Sequence, residues 1–144
     1  MMTMTDKWTP ETIMDARADS VRRKILLVED DPAVRRFIHL LLQSGECEIR
    51  AYATGSALLA DETAIDADGL VADYRSADMD GLTILDRLKE KGWFGPAVLI
   101  TGYPSPDLSE EAKARGFVEV FDKPLDAVRF CKAIDRMIDP SDRA

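Results

Sequence analysis

The chain has 144 residues, 46% hydrophobic and 32% charged, with 27 Asp and Glu against 19 Lys and Arg and a formal net charge of −8. A domain of this size can bury roughly two-thirds of its unfolded surface in one core, which leaves no room for a second domain of similar size and excludes a disordered or collagen-like chain. The acidic excess repels phosphate backbones and anionic membranes, so neither nucleic acid nor a membrane is an expected partner.

Residues 1–21 are polar and methionine-rich. Thr9 could cap a short helix there with Pro10 at its first position, so the segment is expected to be an N-terminal tail or a short docking helix. Arg22-Arg23-Lys24 is expected to be solvated. From Lys24 onward, short apolar runs alternate with longer amphipathic segments, the pattern of repeated βα units.

The run Ile25-Leu26-Leu27-Val28 predicts a buried strand ended by Glu29-Asp30-Asp31. Asp31 then suits an N-cap and Pro32 the first helical position, and Val34, Phe37, Ile38, Leu41 and Leu42 make one apolar helix face, closed at Gly45. His39 lies off that face and is expected to be exposed. Ile49 to Tyr52 predicts a weaker second strand and Ser56 to Ala60 a short helix. Gly69-Leu70-Val71-Ala72 is the third strand and ends on Asp73. After a loop with Asp80 as a cap or turn residue, Leu82, Leu85 and Leu88 mark a third helix stopped at Lys91-Gly92. Ala97 to Ile100 is the fourth strand, followed by Thr101-Gly102. Leu108 to Arg115 is a helix stopped by Gly116, Phe117 to Phe121 a fifth strand ending at Asp122-Lys123-Pro124, and Val128 to Ile138 the last helix. The globular domain is placed at 22–140, with 141–144 a C-terminal tail.

Two cysteines, Cys47 and Cys131, without CxxC spacing and with a single histidine, build neither a disulfide framework nor a zinc site. They fit reduced, structural thiols. No apolar run approaches the roughly 18–20 residues that span a bilayer, and the first residues lack a signal-peptide pattern, so a cytoplasmic protein is expected.

Strands joined by crossover helices lie parallel, and their carboxyl ends emerge on one edge of the sheet, where open α/β sheets bind ligands. The residues at those ends are therefore the informative ones: Glu29-Asp30 after the first run, Asp73 after the third, Thr101 after the fourth and Lys123 after the fifth. Three carboxylates brought within a few Å repel by up to about 4 kcal/mol per close pair at a surface-like dielectric, so a positive charge must be held among them. Oxygen ligands with room for water favour Mg²⁺. A carboxylate left free of the metal could act as a nucleophile toward phosphorus, with Lys123 and Thr101 neutralising and hydrogen-bonding the phosphoryl oxygens.

These motifs, Leu27-Val28-Glu29-Asp30-Asp31, Asp73 with Asp80-Gly81-Leu82, Ile100-Thr101-Gly102 and Asp122-Lys123-Pro124, make residues 24 to 139 resemble the receiver domain of two-component response regulators. The resemblance implies a flavodoxin-like α/β fold, a doubly wound (βα)5 parallel sheet with strand order 2-1-3-4-5. It implies Asp73 as phosphoacceptor with Thr101 and Lys123 as its catalytic companions. It also implies Mg²⁺ as cofactor, held by a set of Glu29, Asp30, Asp73 and Arg75, with Asp30 a direct ligand and Glu29 acting mostly through water. The Lys123–Pro124 bond would be cis. The phosphodonor would be a histidine kinase or a histidine phosphotransfer protein, the downstream protein target being unnamed, and the chain would be no enzyme beyond its own phosphorylation and slow dephosphorylation. Arg75 and Tyr103, two places after the acceptor and the threonine, would control access of water to the phosphoryl group.

Three departures from the family pattern carry expectations of their own. Ser76-Ala77 stand where Met-Pro is usual, so the loop is expected to be less rigid. Val120 stands where an aromatic is usual, with Phe121 one place later, so the usual aromatic relay is expected to be weak and Tyr103 is the nearest aromatic that could move instead. No output domain follows residue 139, so the chain is expected to act by contact or by passing the phosphoryl group on. An alternative is a receiver-like binding module that works without phosphorylation. Enzymes of the haloacid-dehalogenase type also form aspartyl phosphates but need a second Asp two places on, where Arg75 stands.

Overall fold

Each apolar run becomes a strand in the computed structural model, which describes residues 22–44 and 46–139. The strands are β1 (Arg23–Val28), β2 (Cys47–Tyr52), β3 (Gly69–Asp73), β4 (Ala97–Thr101) and β5 (Phe117–Asp122). All neighbours pair in parallel, in the order β2-β1-β3-β4-β5 expected of a flavodoxin-like sheet. Helices α1 (Pro32–Leu42), α2 (Gly55–Ala60), α3 (Gly81–Glu90), α4 (Pro106–Arg115) and α5 (Ala127–Ile138) alternate with them, and a 3₁₀ turn (Glu62–Asp66) follows α2. The tails 1–21 and 141–144, with Gly45 and Pro140, lie outside the described residues.

Residue parity along the strands decides the two layers. Leu26, Val28, Leu70, Ala72 and Leu99 face one way and pack with Leu58, Leu85, Leu88 and Leu108 under α2, α3 and α4. Ile25, Leu27, Val71, Val98 and Ile100 face the other way and pack with Ile38, Leu42, Phe130 and Ile134 of α1 and α5.

Strand β5 departs from this rule once. Phe117 pairs with Ala97, but Glu119 pairs with Val98, so Val118 is an extra residue and the register shifts there. The shift reverses parity: Phe117 joins the α2–α4 layer and Phe121 the α1/α5 layer, where its ring meets Phe130 edge-on with centroids 5.2 Å apart. Val120 packs against the α2–α4 layer. Phe121, on the opposite face of the sheet, cannot take over the place of an aromatic at 120.

Local chemistry ends the helices much as expected. Asp31 caps α1 by accepting from the Ala33 and Val34 N–H groups at 2.9 and 3.3 Å, and Asp80 caps α3 by accepting from Thr83 N–H at 2.8 Å. Helix α3 stops at Lys91, and the following Gly92 has φ +95°, a left-handed conformation that glycine adopts without steric cost. Gly116 closes α4. The cap residue of α1 is Gln43, whose N–H donates to His39 O at 2.9 Å. The segment Arg22–Lys24 is half-buried rather than solvated, since β1 starts at Arg23 and Arg22 donates to the Ser44 and Cys47 carbonyls at 3.2 and 3.3 Å. His39 is half-buried as well.

Candidate functional site

The ends of β1, β3, β4 and β5 deliver four polar residues to one edge, and three of them are removed from solvent: Glu29 is 0% exposed, Asp73 4% and Thr101 1%. Glu29 lies there because its N–H continues the ladder onto the Tyr52 carbonyl at 3.1 Å, carrying the acidic side chain one residue beyond the apolar run. Asp73 is the last residue of β3, and the chain beyond it is drawn tight by Tyr74 N–H donating to Ile100 O at 2.8 Å. The N-terminus of α3 seats on that turn. A Cβ on Gly81 would come within 2.8 Å of the Asp73 carbonyl oxygen and 2.7 Å of Leu99 Cδ1, so only glycine permits the approach.

Lys123 holds the centre. Its Nζ donates to Asp73 Oδ2 at 2.8 Å and forms an ion pair with Glu29 Oε1 at 2.9 Å, off the angle a hydrogen bond needs. Its main-chain N–H donates to Thr101 O at 2.8 Å, and its peptide bond to Pro124 is cis, as the resemblance implied. Burial draws the Lys123 pKa down, but the neighbouring Asp73 carboxylate, which accepts its hydrogen bond, and the ion-paired Glu29 outweigh it and hold the ammonium above the ordinary lysine range. Glu29 is pushed the other way for a carboxylate, up to about 7, chiefly by burial and opposed by Lys123.

Glu29, Asp30 and Asp73 each offer a carboxylate oxygen, all within 4.8 Å of one another. One ammonium faces three carboxylates. Glu29 Oε2 accepts from Asp31 N–H at 3.1 Å, while the buried Oε1 has no hydrogen bond at all. An oxygen-only set with surplus negative charge, one of whose buried oxygens is ion-paired but not hydrogen-bonded, fits a hard divalent cation. Arg75 belongs to such a set only through its main-chain carbonyl, because a guanidinium has no acceptor.

The remaining expected residues form the rim. The Arg75 N–H donates to Asp73 Oδ1 at 3.2 Å, and Tyr103 N–H donates to Thr101 Oγ1 at 3.0 Å. The two side chains meet above, with the Arg75 guanidinium carbon 4.6 Å from the centroid of the Tyr103 ring.

Two residues that sequence reasoning missed also shape the site. Arg35, one turn into α1, donates to the Glu29 carbonyl at 2.9 Å and fastens the acidic pair from behind. Asp78 accepts from Gly55 and Ser56 N–H at 2.9 and 3.0 Å and from the Ser56 hydroxyl, tying the loop after Asp73 to the start of α2. The expectation of a looser loop rested on the missing Met-Pro pair and took no account of this anchor. Neither residue has a motif, but an Asp five places after a strand-end Asp is a loop polar group in need of a partner.

The response regulator receiver domain model matches residues 25–135. The chain belongs to that family. Among curated response regulators it is 27% identical over 108 residues to the transcriptional regulatory protein FixJ of Azorhizobium caulinodans, covering 75% of this chain and 51% of that one. It is 28% identical over 120 residues to the tetrathionate response regulatory protein TtrR of Salmonella typhimurium, covering 83% and 58%. The receiver therefore spans a little over half the length of these relatives. Solved receiver folds superpose closely: the Vibrio cholerae chemotaxis protein CheY4 at TM-score 0.74 and 24% identity, over 81% of this chain and 98% of that one, and the BeF3-activated DrrB receiver domain at 0.74 and 22%, over 81% and 97%. Among the described residues no helix is long and apolar enough to cross a membrane.

Proposed function

We propose that the chain acts as a response regulator receiver: an aspartyl phosphoacceptor dependent on Mg²⁺, charged on Asp73 by a histidine kinase or a histidine phosphotransfer protein in the cytoplasm. The observation that carries this reading is the Lys123 ammonium bonded to Asp73 at 2.8 Å and ion-paired at 2.9 Å with a second, buried carboxylate, Glu29. Asp73 Oδ1, paired only with a main-chain N–H, is the freer oxygen to attack. It forms a bond to phosphorus as the phosphorus–nitrogen bond of a phosphohistidine breaks, and the imidazole leaves with the electron pair and takes a proton from solvent. Lys123 turns toward the incoming phosphoryl oxygens, and the Thr101 hydroxyl, whose oxygen already accepts from Tyr103, keeps its proton free to donate. Mg²⁺ held by Glu29, Asp30, Asp73 and the Arg75 carbonyl would supply the charge neutralisation that one lysine cannot.

The neighbourhood suits a protein phosphodonor. An apolar groove of about 320 Å³, lined by Ala33, Val34 and Phe37 of α1 with Pro124 and Leu125, opens beside Lys123. The chain does no chemistry beyond gaining and slowly losing its own phosphoryl group, and it acts on its target protein by contact or by relaying that group. Incubation with acetyl phosphate, with and without Mg²⁺, followed by intact mass measurement tests the reading: one phosphoryl mass is expected with Mg²⁺ and none in Asp73→Asn. A wild-type protein that gains nothing would leave a binding module that works without phosphorylation.

A further inference from the structure

The outer edge of β2 is covered at its start and bare further on. In a parallel pair, alternate residues turn both main-chain groups toward the neighbouring strand. The Glu46 and Tyr52 carbonyls accept from Arg23 and Glu29 N–H at 2.8 and 3.1 Å, so even-numbered residues face β1 while Cys47, Ile49 and Ala51 face outward. The chain covers the first two itself: Ser44 Oγ accepts from Cys47 N–H at 3.1 Å, and Gln43 Oε1 accepts from Ile49 N–H at 3.0 Å. Ala51 is exposed, and among the described residues nothing pairs with its outward N–H or carbonyl. Beside it a groove of about 400 Å³ runs along α1, lined by Pro32, Arg35, Arg36, His39 and Leu40. In a chain of net charge −8, the described lining carries two arginines and a histidine and no carboxylate. Among the described residues neither guanidinium has a carboxylate within ion-pairing distance, and Arg35 donates only to the Glu29 and Asp30 carbonyls.

We propose that the β2 edge at Ala51 and the cationic groove beside it bind an extended acidic peptide of a partner protein, added to the sheet as a sixth strand. Ala51 supplies the N–H and carbonyl of one hydrogen-bonded pair, which sets the register. Side chains alternate along a strand, so every second residue of the peptide points toward α1 and meets Arg35, Arg36 and His39. Those positions suit Asp or Glu. The residues between them turn to the face of Glu48 and Arg50, already paired with each other at 3.1 Å, and suit small or β-branched side chains. A second copy of this chain fits poorly. Antiparallel pairing of two β2 edges about a two-fold axis keeps both α1 helices on one face and sets the arginines of one copy against those of the other. A nucleic acid strand has the charge but no main-chain groups for the edge, and the net charge of −8 repels it. The groove shares no residue with the apolar one at Ala33, Val34 and Phe37 beside Lys123, so the site does not rest on Asp73 being the acceptor.

The test titrates the full, unphosphorylated chain with a synthetic peptide of about six residues, an ordinary strand length, in which Glu alternates with Thr, reading amide shifts and hydrogen exchange. Shifts are expected at residues 32–40 and 49–53, with exchange of the Ala51 N–H slowed about tenfold or more at saturation and affinity falling as salt rises. The same peptide with Lys in place of Glu is expected not to bind. Arg36→Glu changes an exposed side chain and should weaken binding about three- to tenfold. Ala51→Pro removes only an outward N–H, a change tolerated at a strand edge, and should abolish the shifts at 49–53. Should that variant not fold, Arg36→Glu and the exchange measurement still decide. Binding that leaves 49–53 unmoved, that is equal for the Lys peptide, or that is unchanged in Arg36→Glu would overturn the proposal. So would slow exchange at Ala51 in the free chain, which would mean that the chain itself or a second copy already fills the edge. A thymidine oligonucleotide that moved the same amides at lower concentration than the peptide would overturn the choice of a peptide strand.

Discussion

The acceptor corner and its rim, neighbours at one edge of the sheet, are held by opposite means. At the corner Glu29, Asp73 and Lys123 are clamped by two ion pairs of 2.9 and 2.8 Å among buried groups, where a low dielectric magnifies every charge. At the rim Arg75 and Tyr103 share one exposed contact that water weakens. The corner is built so that its charges cannot rearrange cheaply, and the rim so that it can.

The largest expected effect breaks the corner. Lys123→Ala should lower the rate of phosphoryl gain by about 10²-fold or more, measured by intact mass with acetyl phosphate and Mg²⁺, because it removes the ammonium bonded to the acceptor carboxylate. Tyr103→Ala should change that rate by only a few-fold, and a comparable collapse there would erase the distinction between the two regions.

The next effect is on stability and pH. Glu29 has a pKa of about 7 in the folded protein against an ordinary 4.5, so without metal the folded state holds the proton more tightly than the unfolded state. Its contribution to stability is therefore complete below about 4.5 and is lost as pH rises through 7. Glu29→Gln should flatten that window in urea unfolding series run without divalent cations, and it should weaken Mg²⁺ binding by about 10-fold or more. A wild-type protein no less stable at pH 8 than at pH 5 relative to Glu29→Gln would show that the corner is not charged as described.

A smaller effect sharpens the rim. Comparing amide shifts of free and beryllofluoride-treated protein should place the largest changes at residues 101–108 and small ones at 118–121, since Val120 is branched at Cβ, short, and packed against the α2–α4 layer. Changes centred on Val120 would move the responsive element into β5.

The smallest effect lies away from both regions. The Thr63 and Tyr52 hydroxyls donate to Asp61, at 2.6 and 2.5 Å, and hold its pKa near 2, below the ordinary 3.8. This contribution is present above 3.8 and lost as pH falls through 2, so Asp61→Asn should trim acid stability in that window and leave phosphoryl gain untouched.

What could be read beforehand follows the same division. Glu29, Asp30, Asp73, Thr101 and Lys123 were legible because strand ends are marked by abrupt changes from apolar to polar, and parallel strands must present those ends together. The strand order followed from the family resemblance, and the sheet has it. The Arg35 and Asp78 anchors were illegible because each joins segments that no periodicity relates: Asp78 meets Ser56 across 22 positions. The stack of Arg75 on Tyr103 depends on the height at which two loops leave the sheet, which no residue pattern records. The different facing of Phe117 and Phe121 was hidden too, because strict alternation would put both on one face.

The extra residue at Val118 acts as a phase shifter for everything downstream. Residues before it follow one beat of the strand and those after it the other, so the side on which Phe121 packs and the reach of Lys123 into the crevice both inherit that half-step. Deleting Val118 would put the remaining residues back in a single beat: Phe121 would swap layers, and the ammonium that answers Glu29 and Asp73 would arrive one residue out of step with the edge where they wait.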